Sequence, residues 1–338
     1  MSFDHPEFDG HEQIIWFHDE ATGLKAITAL HRQRGGAALG GIRFRAYAST
    51  DEALTDVLRL SRAMSYKWAL SGLAYGGGKS VVIATAEEKT PELLRAMGDC
   101  IESLKGRYVG APDVGSNASD MAIIRERTRH VAGLPGSDTS VPTARGLYYA
   151  IESMAQQQLS RDSVAGVHVA VQGLGGVGGR LCRHLADAGV TLTVADVNSE
   201  LAGQVASDCG GQVVSPEEIL AVEADVLSPC ALGAVLNEQS IPGIRARLIC
   251  GAANNQLATP EDAERLRAAG ITWAPDYVAS AGGIIGGSVE LGDIDAEECE
   301  ARLRGIGTTL AEVLDRAARD GINTDAAAQA MASAILSA

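Results

Sequence analysis

The 338-residue chain has a mass of 35.1 kDa, which suggests about two domains at roughly 150 residues each. Its 46% hydrophobic and 21% charged residues exclude disorder and a collagen-like fold, and no apolar run approaches the ~20 residues of a membrane span. A formal charge of −15 and a pI near 4.9 argue against a nucleic-acid or anionic-membrane partner.

The opening stretch MSFDHPEFDG is acidic and polar, unlike a secretory or transit signal. A cytoplasmic location is therefore expected, with Cys100, Cys182, Cys209, Cys230, Cys250 and Cys299 as reduced thiols. No CxxC, HExxH or Cys/His cluster occurs, so no metal is expected. Residues 14–47 read as strands, IIWFHD, LKAITALH and ALGGIRF, punctuated by Gly35-Gly36 and Gly40-Gly41. A cap-like Thr50-Asp51 opens an amphipathic helix over 51–66. A short buried strand is expected at 80–84, a helix at 90–106, a strand running into a loop over 107–116, and a helix over 119–132. The stretch 133–146 has two prolines and three glycines and is the best boundary. A helix over 146–158 follows, and then strands alternate regularly with helices up to about 276. That alternation is the signature of a parallel α/β sheet. From about 297 the chain reads as helices.

The strand VHVAVQ runs into Gly173-Leu174-Gly175-Gly176-Val177-Gly178, a GxGxxG that opens a helix over 176–188. Gly173 allows the tight turn, Gly175 lets the backbone approach a pyrophosphate, and Gly178 lets helix and strand pack closely. The helix N-terminus attracts the anion. The next strand ends at Asp196, which would accept hydrogen bonds from an adenosine ribose and repel a 2′-phosphate. No Lys or Arg lies between Arg183 and Arg245, so NAD is expected rather than NADP.

Of the 28 basic residues only five are lysines: Lys25, Lys67, Lys79, Lys89 and Lys105. Two of them fall in MSYKWALSGLAYGGGKSVV, which is otherwise uncharged. Arginine keeps its proton in a protein, whereas a desolvated lysine can lose it. Gly76-Gly77-Gly78 before Lys79 would let a ligand approach the backbone, and Asp113 follows in a loop of small residues, APDVGS. Two amines and a carboxylate suit a substrate that carries both a carboxylate and an amine.

At these residues the sequence resembles the Glu/Leu/Phe/Val amino-acid dehydrogenase family, most of all its leucine dehydrogenases. The resemblance runs from about residue 12 to about 325 through DEATGLKAI, GGAALGGIR, MSYK, LAYGGGK, APDVGS, VQGLGGVG, ADVN, SPCALGAVLN, GAANNQL and APDYVASAGG. It implies an α/β protein of two domains with a cleft between them. Residues 1–135 would form a substrate-binding, catalytic and oligomerising domain, 136–300 a Rossmann-type NAD domain, and 301–338 helices returning toward the first. The implied reaction is reversible, NAD-dependent oxidative deamination of an apolar L-amino acid to the 2-oxo acid and ammonia, carried out by a homo-oligomer.

The resemblance also implies roles. Lys67 would hold the substrate carboxylate, Lys79 would activate water, and Asp113 would move protons at the substrate nitrogen. Leu39, Gly40, Met64, Ala111, Asn255, Ile284 and Gly287 would line the substrate site. Thr143 and Asn254 would sit near the nicotinamide. The dinucleotide would lie on Gly173, Leu174, Gly175, Gly176, Val177, Gly178 and Gly179, flanked by Asp196, Val197, Cys230, Ala231 and Ala252. A working Lys79 needs a pKa brought down from ~10.4 toward ~7–8, by burial and by nearby Lys67. The chain departs from the leucine-enzyme pattern at Gly178, at a shortened 133–142, at Trp68, at Gly286-Gly287 in the side-chain pocket and at its early end. Two competing readings share these motifs. One is a catalytically idle NAD- or amino-acid-binding regulator, separated by NADH absorbance with L-amino acids. The other is a Rossmann reductase with a Lys–Asp pair, which would act on hydroxyl substrates without ammonia.

Overall fold

In the computed structural model, which describes residues 2–85 and 87–337, the chain divides into two α/β units. The first comprises Met1–Asp138 with Glu290–Asp293 and Ala332–Ala338, the second Thr139–Val289 with Ile294–Met331.

The first unit is built on β1 (Gln13–Asp19), β2 (Leu24–Leu30), β3 (Ala38–Arg45), α1 (Thr50–Leu70), β4 (Gly76–Ile83), α2 (Pro91–Ser103), β5 (Tyr108–Pro112) and α3 (Ala118–Arg125). Its sheet has the order β1-β2-β4-β3-β5. The pairs β1–β2 and β2–β4 are antiparallel, while β3 runs parallel to both β4 and β5. One face packs on α2 and α3 through Met97, Ile101, Tyr108, Met121 and Ile124. The other packs on α1 through Leu54, Val57, Leu58 and Val81. Ser49 caps α1, its hydroxyl accepting from Glu52 N at 3.1 Å. An Asn117–Asp120 capping box opens α3.

Two expectations are corrected here. The strand expected at 80–84 begins at Gly76, so Lys79 sits inside the sheet. The helix expected over 119–132 ends at Arg125. Residues beyond it pair with the open edge of β5 instead: Gly110 N donates to His130 O at 3.1 Å, and Ala132 N to Gly110 O at 2.8 Å. The small, apolar Val131 and Ala132 gain more by closing that edge than by extending an exposed helix.

The second unit follows the alternation read from the sequence. Its elements are α4 (Ser140–Leu159), β6 (His168–Gln172), α5 (Gly178–Asp187), β7 (Thr191–Ala195), α6 (Ser199–Cys209), β8 (Gln212–Val213), β9 (Val226–Pro229), β10 (Leu248–Ile249), α7 (Asp262–Ala268), β11 (Thr272–Trp273), α8 (Asp276–Ala279), α9 (Gly282–Glu290) up to Val289, α10 (Ala296–Asp320) and α11 (Thr324–Ser337) up to Met331. The sheet is parallel throughout, in the order β11-β10-β9-β6-β7-β8. The chain reverses direction across the sheet at β6, the switch point outside which such sheets bind ligands. Helix α4 begins at Ser140, six residues before the expected start. Pro142 lies in its first turn, where a missing N–H loses no intrahelical bond. Among the described residues no helix is long and apolar enough to cross a membrane.

Candidate active site

Lys79 and Asp113 meet on the face of the first sheet that α1 covers. Lys79 Nζ lies 3.0 Å from Asp113 Oδ2, and its side chain is 6% exposed. The burial has a local cause in the glycines before it. A Cβ on Gly77 would lie 2.1 Å from Ser65 N and 2.3 Å from Ser61 O of α1. Only glycine there lets the helix close down on the strand. A Cβ on Gly78 would lie 2.8 Å from the Tyr108 ring on the opposite face. The three glycines are therefore packing residues inside a strand, and the expectation of a ligand-approach loop at 76–78 is corrected.

Gly41 completes the arrangement. It pairs with Ala111 across β3 and β5, and Asp113 follows two residues later, just past the last pair, Ile42 with Pro112. A Cβ on Gly41 would sit 2.6 Å from Asp113 Cβ and 2.9 Å from Lys79 Nζ. The pair thus occupies the volume that any larger residue at 41 would fill.

The third member of the cluster is Arg43, which sequence reasoning missed. Its Nε donates to Asp113 Oδ2 at 2.8 Å. Burial lowers the Lys79 pKa most, Asp113 opposes that, and Arg43 adds to the lowering. Arg43 is thus a cation acting on Lys79 that the sequence reading did not name. For Asp113, burial opposes the charged form, but Lys79 and Arg43 together hold the carboxyl below its ordinary value. The only sequence signal for Arg43 was its place two residues after Gly41, on the same face of a strand.

The other substrate-site candidates of this unit are on α1, β3 and β5. Lys67 is in the last turn of α1, half-buried, three positions after half-buried Met64. Leu39 and Gly40 are buried in β3, and Ala111 is half-buried in β5. Trp68 is 1% exposed, and its indole N–H donates to Leu39 O at 3.1 Å.

In the second unit the GxGxxG makes the tight turn and the close helix–strand packing that its spacing suggested. Gly173 has φ of +89°, and a Cβ there would meet Ala231 Cβ at 2.6 Å. Gly178, at the start of α5, would bring a Cβ within 1.9 Å of Gly173 O. Gly175 has nothing within 4 Å of where its Cβ would be. The loop therefore leaves an open cradle in front of the α5 N-terminus, which fits a pyrophosphate. Leu174, Gly176, Val177 and Gly179 form the rest of this turn. Asp196 locks it: Oδ2 accepts from Leu174 N at 2.7 Å, and Oδ1 from Asn198 N at 2.8 Å. Each oxygen keeps a lone pair for a further donor. Val197 beside it is 92% exposed.

Cys230 N bonds Gln172 O at 2.7 Å, which sets Cys230 and Ala231 next to the glycine loop. Ala234 N donates to Asn255 O at 2.7 Å, so the segment after Ala231 is tied to Asn254, Asn255 and the nearby Ala252. Thr143 is 9% exposed in the first turn of α4, and α9 packs against it. A Cβ on Gly282 would lie 2.3 Å from Pro142 O, and one on Gly286 2.3 Å from Pro142 Cγ. Gly286 is thus a glycine at which α9 packs closely on α4. Gly287 has nothing within 4 Å, and Ile284 on the same helix is half-buried. Among the described residues no group of three or more His, Cys, Asp or Glu is placed to hold a metal ion.

Comparison with known proteins places both units. Residues 11–130 match the family model of the Glu/Leu/Phe/Val dehydrogenase dimerisation domain, and residues 201–337 that of the Glutamate/Leucine/Phenylalanine/Valine dehydrogenases. Leucine dehydrogenase of Thermoactinomyces intermedius is 41% identical over 98% of this chain and 92% of its own length. Phenylalanine dehydrogenase of Lysinibacillus sphaericus is 39% identical over 94% of this chain and 86% of its own length. The crystal structure of L-tryptophan dehydrogenase from Nostoc punctiforme superimposes with a TM-score of 0.88 at 37% identity, over 97% of this chain and 96% of that one.

Proposed function

The chain belongs to the Glu/Leu/Phe/Val dehydrogenase family, and from that premise we propose a specific reaction, cofactor and set of roles for it. It is an oxidoreductase that acts on the CH–NH2 group of apolar amino acids with a nicotinamide cofactor. The reaction proposed is reversible oxidative deamination of a bulky aliphatic or aromatic L-amino acid, with NAD. The observation that carries it is the buried Lys79 amine 3.0 Å from Asp113, with its pKa lowered chiefly by burial.

In unit 1, Lys67 binds the substrate carboxylate. Asp113 takes a proton from the substrate ammonium and leaves a neutral amine, from which a hydride can depart. NAD, when held by the glycine loop and Asp196, would supply the acceptor for the Cα hydride. Lys79, in its neutral form, removes a proton from water as the water adds to the imino carbon. Asp113 then returns a proton to the nitrogen and, as ammonia leaves, its freed carboxylate takes the proton of the new hydroxyl, so that the 2-oxo acid forms and the protons held by Lys79 and Asp113 pass to solvent. A lysine suits the third step because burial has brought its pKa toward working pH. In unit 2 the glycine loop and Asp196 hold the dinucleotide, with Thr143 and Asn254 at its nicotinamide end. A homo-oligomer formed through the first unit is supported by that unit's match to a dimerisation domain. A cytoplasmic setting accords with six cysteines that are all free.

The test is reductive amination of a panel of 2-oxo acids with NADH and ammonium. Leu39, 6% exposed, offers no charge to offset burial of a second carboxylate, so glutamate and aspartate should be poor substrates. Gly287→Val is expected to shift preference toward smaller aliphatic substrates by about 10-fold, since each methylene in such a pocket is worth roughly 1–3 kcal/mol. The open space at Gly287 accepts valine without a clash, so stability should be unchanged. An unchanged ranking across phenylalanine, tryptophan, leucine and valine would remove Gly287 from the pocket.

The cofactor assignment has its own check. Asp196→Ser should narrow the preference for NAD over NADP by about 10-fold or more, because it removes the charge that repels the extra phosphate. It should also raise the KM for NAD, because Leu174 N loses its carboxylate partner. Equal wild-type efficiency with the two cofactors would overturn the assignment.

A further inference from the structure

The Lys79–Asp113 pair rests on a second ion pair to which the steps above give no part. Arg43 Nε donates to Asp113 Oδ2 at 2.8 Å, on the same oxygen that Lys79 approaches to 3.0 Å. Arg43 Nη1 donates to Asp56 Oδ2 of α1 at 3.0 Å, and the Tyr47 hydroxyl donates to that oxygen at 2.7 Å. The side chain of Arg43 is 11% exposed, and those of Asp56 and Asp113 are each 20% exposed. Among the described residues Asp113 Oδ1 has no hydrogen-bond partner.

We propose that Arg43 is the positioning residue of this site: it clamps Asp113 through Oδ2 so that Oδ1 exchanges the proton with the substrate nitrogen, and Asp56, backed by Tyr47, holds Arg43 in place. The proposal rests on the roles given above to Lys79 and Asp113. Its physical basis is that Lys79 must lose and regain a proton in each turnover, so its hold on Asp113 weakens when the amine is neutral. Arg43 does not titrate, and its planar fork fixes direction as well as charge. It is the partner that holds the Asp113 carboxylate through the whole cycle. Asp56 matters because a guanidinium this buried needs more than one acceptor to keep its pose.

The charged groups that act on the Lys79 amine are Asp113 after β5, Arg43 on β3 and Asp56 on α1. Burial is the largest influence on Lys79; beyond it, Arg43 lowers its pKa and Asp56 raises it. The two halves of the clamp therefore act on the amine in opposite directions. Oxidative deamination requires neutral Lys79, so its rate rises with pH through the Lys79 pKa. Removing the Arg43 cation should move that limb to higher pH, and removing the Asp56 anion should move it to lower pH.

The experiment is a pH profile of kcat and kcat/KM for oxidative deamination in the wild type, Arg43→Gln, Arg43→Lys and Asp56→Asn, with NADH binding and thermal melting of each. Arg43→Gln should lose about 100-fold in kcat, the cost of a base misplaced by about 1 Å, and its limb should rise by about one pH unit. Arg43→Lys should keep the limb near its wild-type place, because the charge remains, and still lose about 10-fold in kcat, because the fork is gone. Asp56→Asn should move the limb down. Arg43→Gln with a wild-type profile, or Arg43→Gln and Asp56→Asn shifting in the same direction, would overturn the clamp. If Arg43→Gln does not melt cooperatively or bind NADH, the limb positions of Arg43→Lys and Asp56→Asn decide by the same signs. Lys79→Ala and Asp113→Asn are run beside them. Wild-type turnover in those two would overturn the roles of the pair itself, whereas their loss beside an undisturbed Arg43→Gln would overturn the clamp alone.

Discussion

Lys79→Ala is expected to lose turnover by about 1,000-fold or more, within the range for removal of a general base, while binding NADH as the wild type does. The lysine is 4% exposed and lies in the middle of an eight-residue strand of the first unit, whereas the glycine loop assigned to the dinucleotide belongs to the second. Its loss therefore removes chemistry and leaves the cofactor site intact. Lys79→Arg should fail to restore activity. Arginine keeps its proton at any pH the fold survives, so it cannot activate water. It is also longer, in a site where Gly41 and Asp113 already touch the amine. Steady-state turnover at saturating substrate, read beside NADH fluorescence titration, separates the two effects. Retention of even about a tenth of the wild-type kcat in Lys79→Arg would end the proton-transfer role, since charge alone would then suffice.

Gly41→Ala should cost about 100-fold in kcat through a single methyl group. The added carbon would stand 2.6 Å from Asp113 Cβ, 3.1 Å from its Cγ and 2.9 Å from Lys79 Nζ. Carbon atoms pack no closer than about 3.5 Å at the optimum of their attraction, so one side must yield. Asp113 Cβ is attached directly to the backbone and cannot swing aside as a long side chain would. Displacing it also pulls on the Arg43 bond at 2.8 Å. A reduced kcat with NADH affinity unchanged is the expected pattern. A Gly41→Ala enzyme with wild-type kcat would show that the chemistry tolerates a different placement of the pair.

Much of the cofactor side was legible in the chain itself. Strand–helix alternation is a local property, written in side-chain period, so the parallel sheet and the glycine turn after β6 could be read directly. The tasks of Gly173 and Gly178 followed from spacing, and the structure places a positive φ and a close carbonyl there. The rarity of lysine in an arginine-rich chain singled out Lys79 before any fold was known. What remained hidden was set by contacts between residues far apart in sequence. Arg43 and Asp113 are seventy positions apart and meet only because β3 lies beside β5 in one register. Four glycines that looked alike proved different for the same reason. Gly77 admits a helix, Gly41 admits the Lys79–Asp113 pair, Gly286 admits Pro142, and Gly287 faces open space. A glycine in a sequence states only that a side chain is absent; which neighbour fills the vacated volume is decided by the packing of strands and helices that the local pattern does not encode.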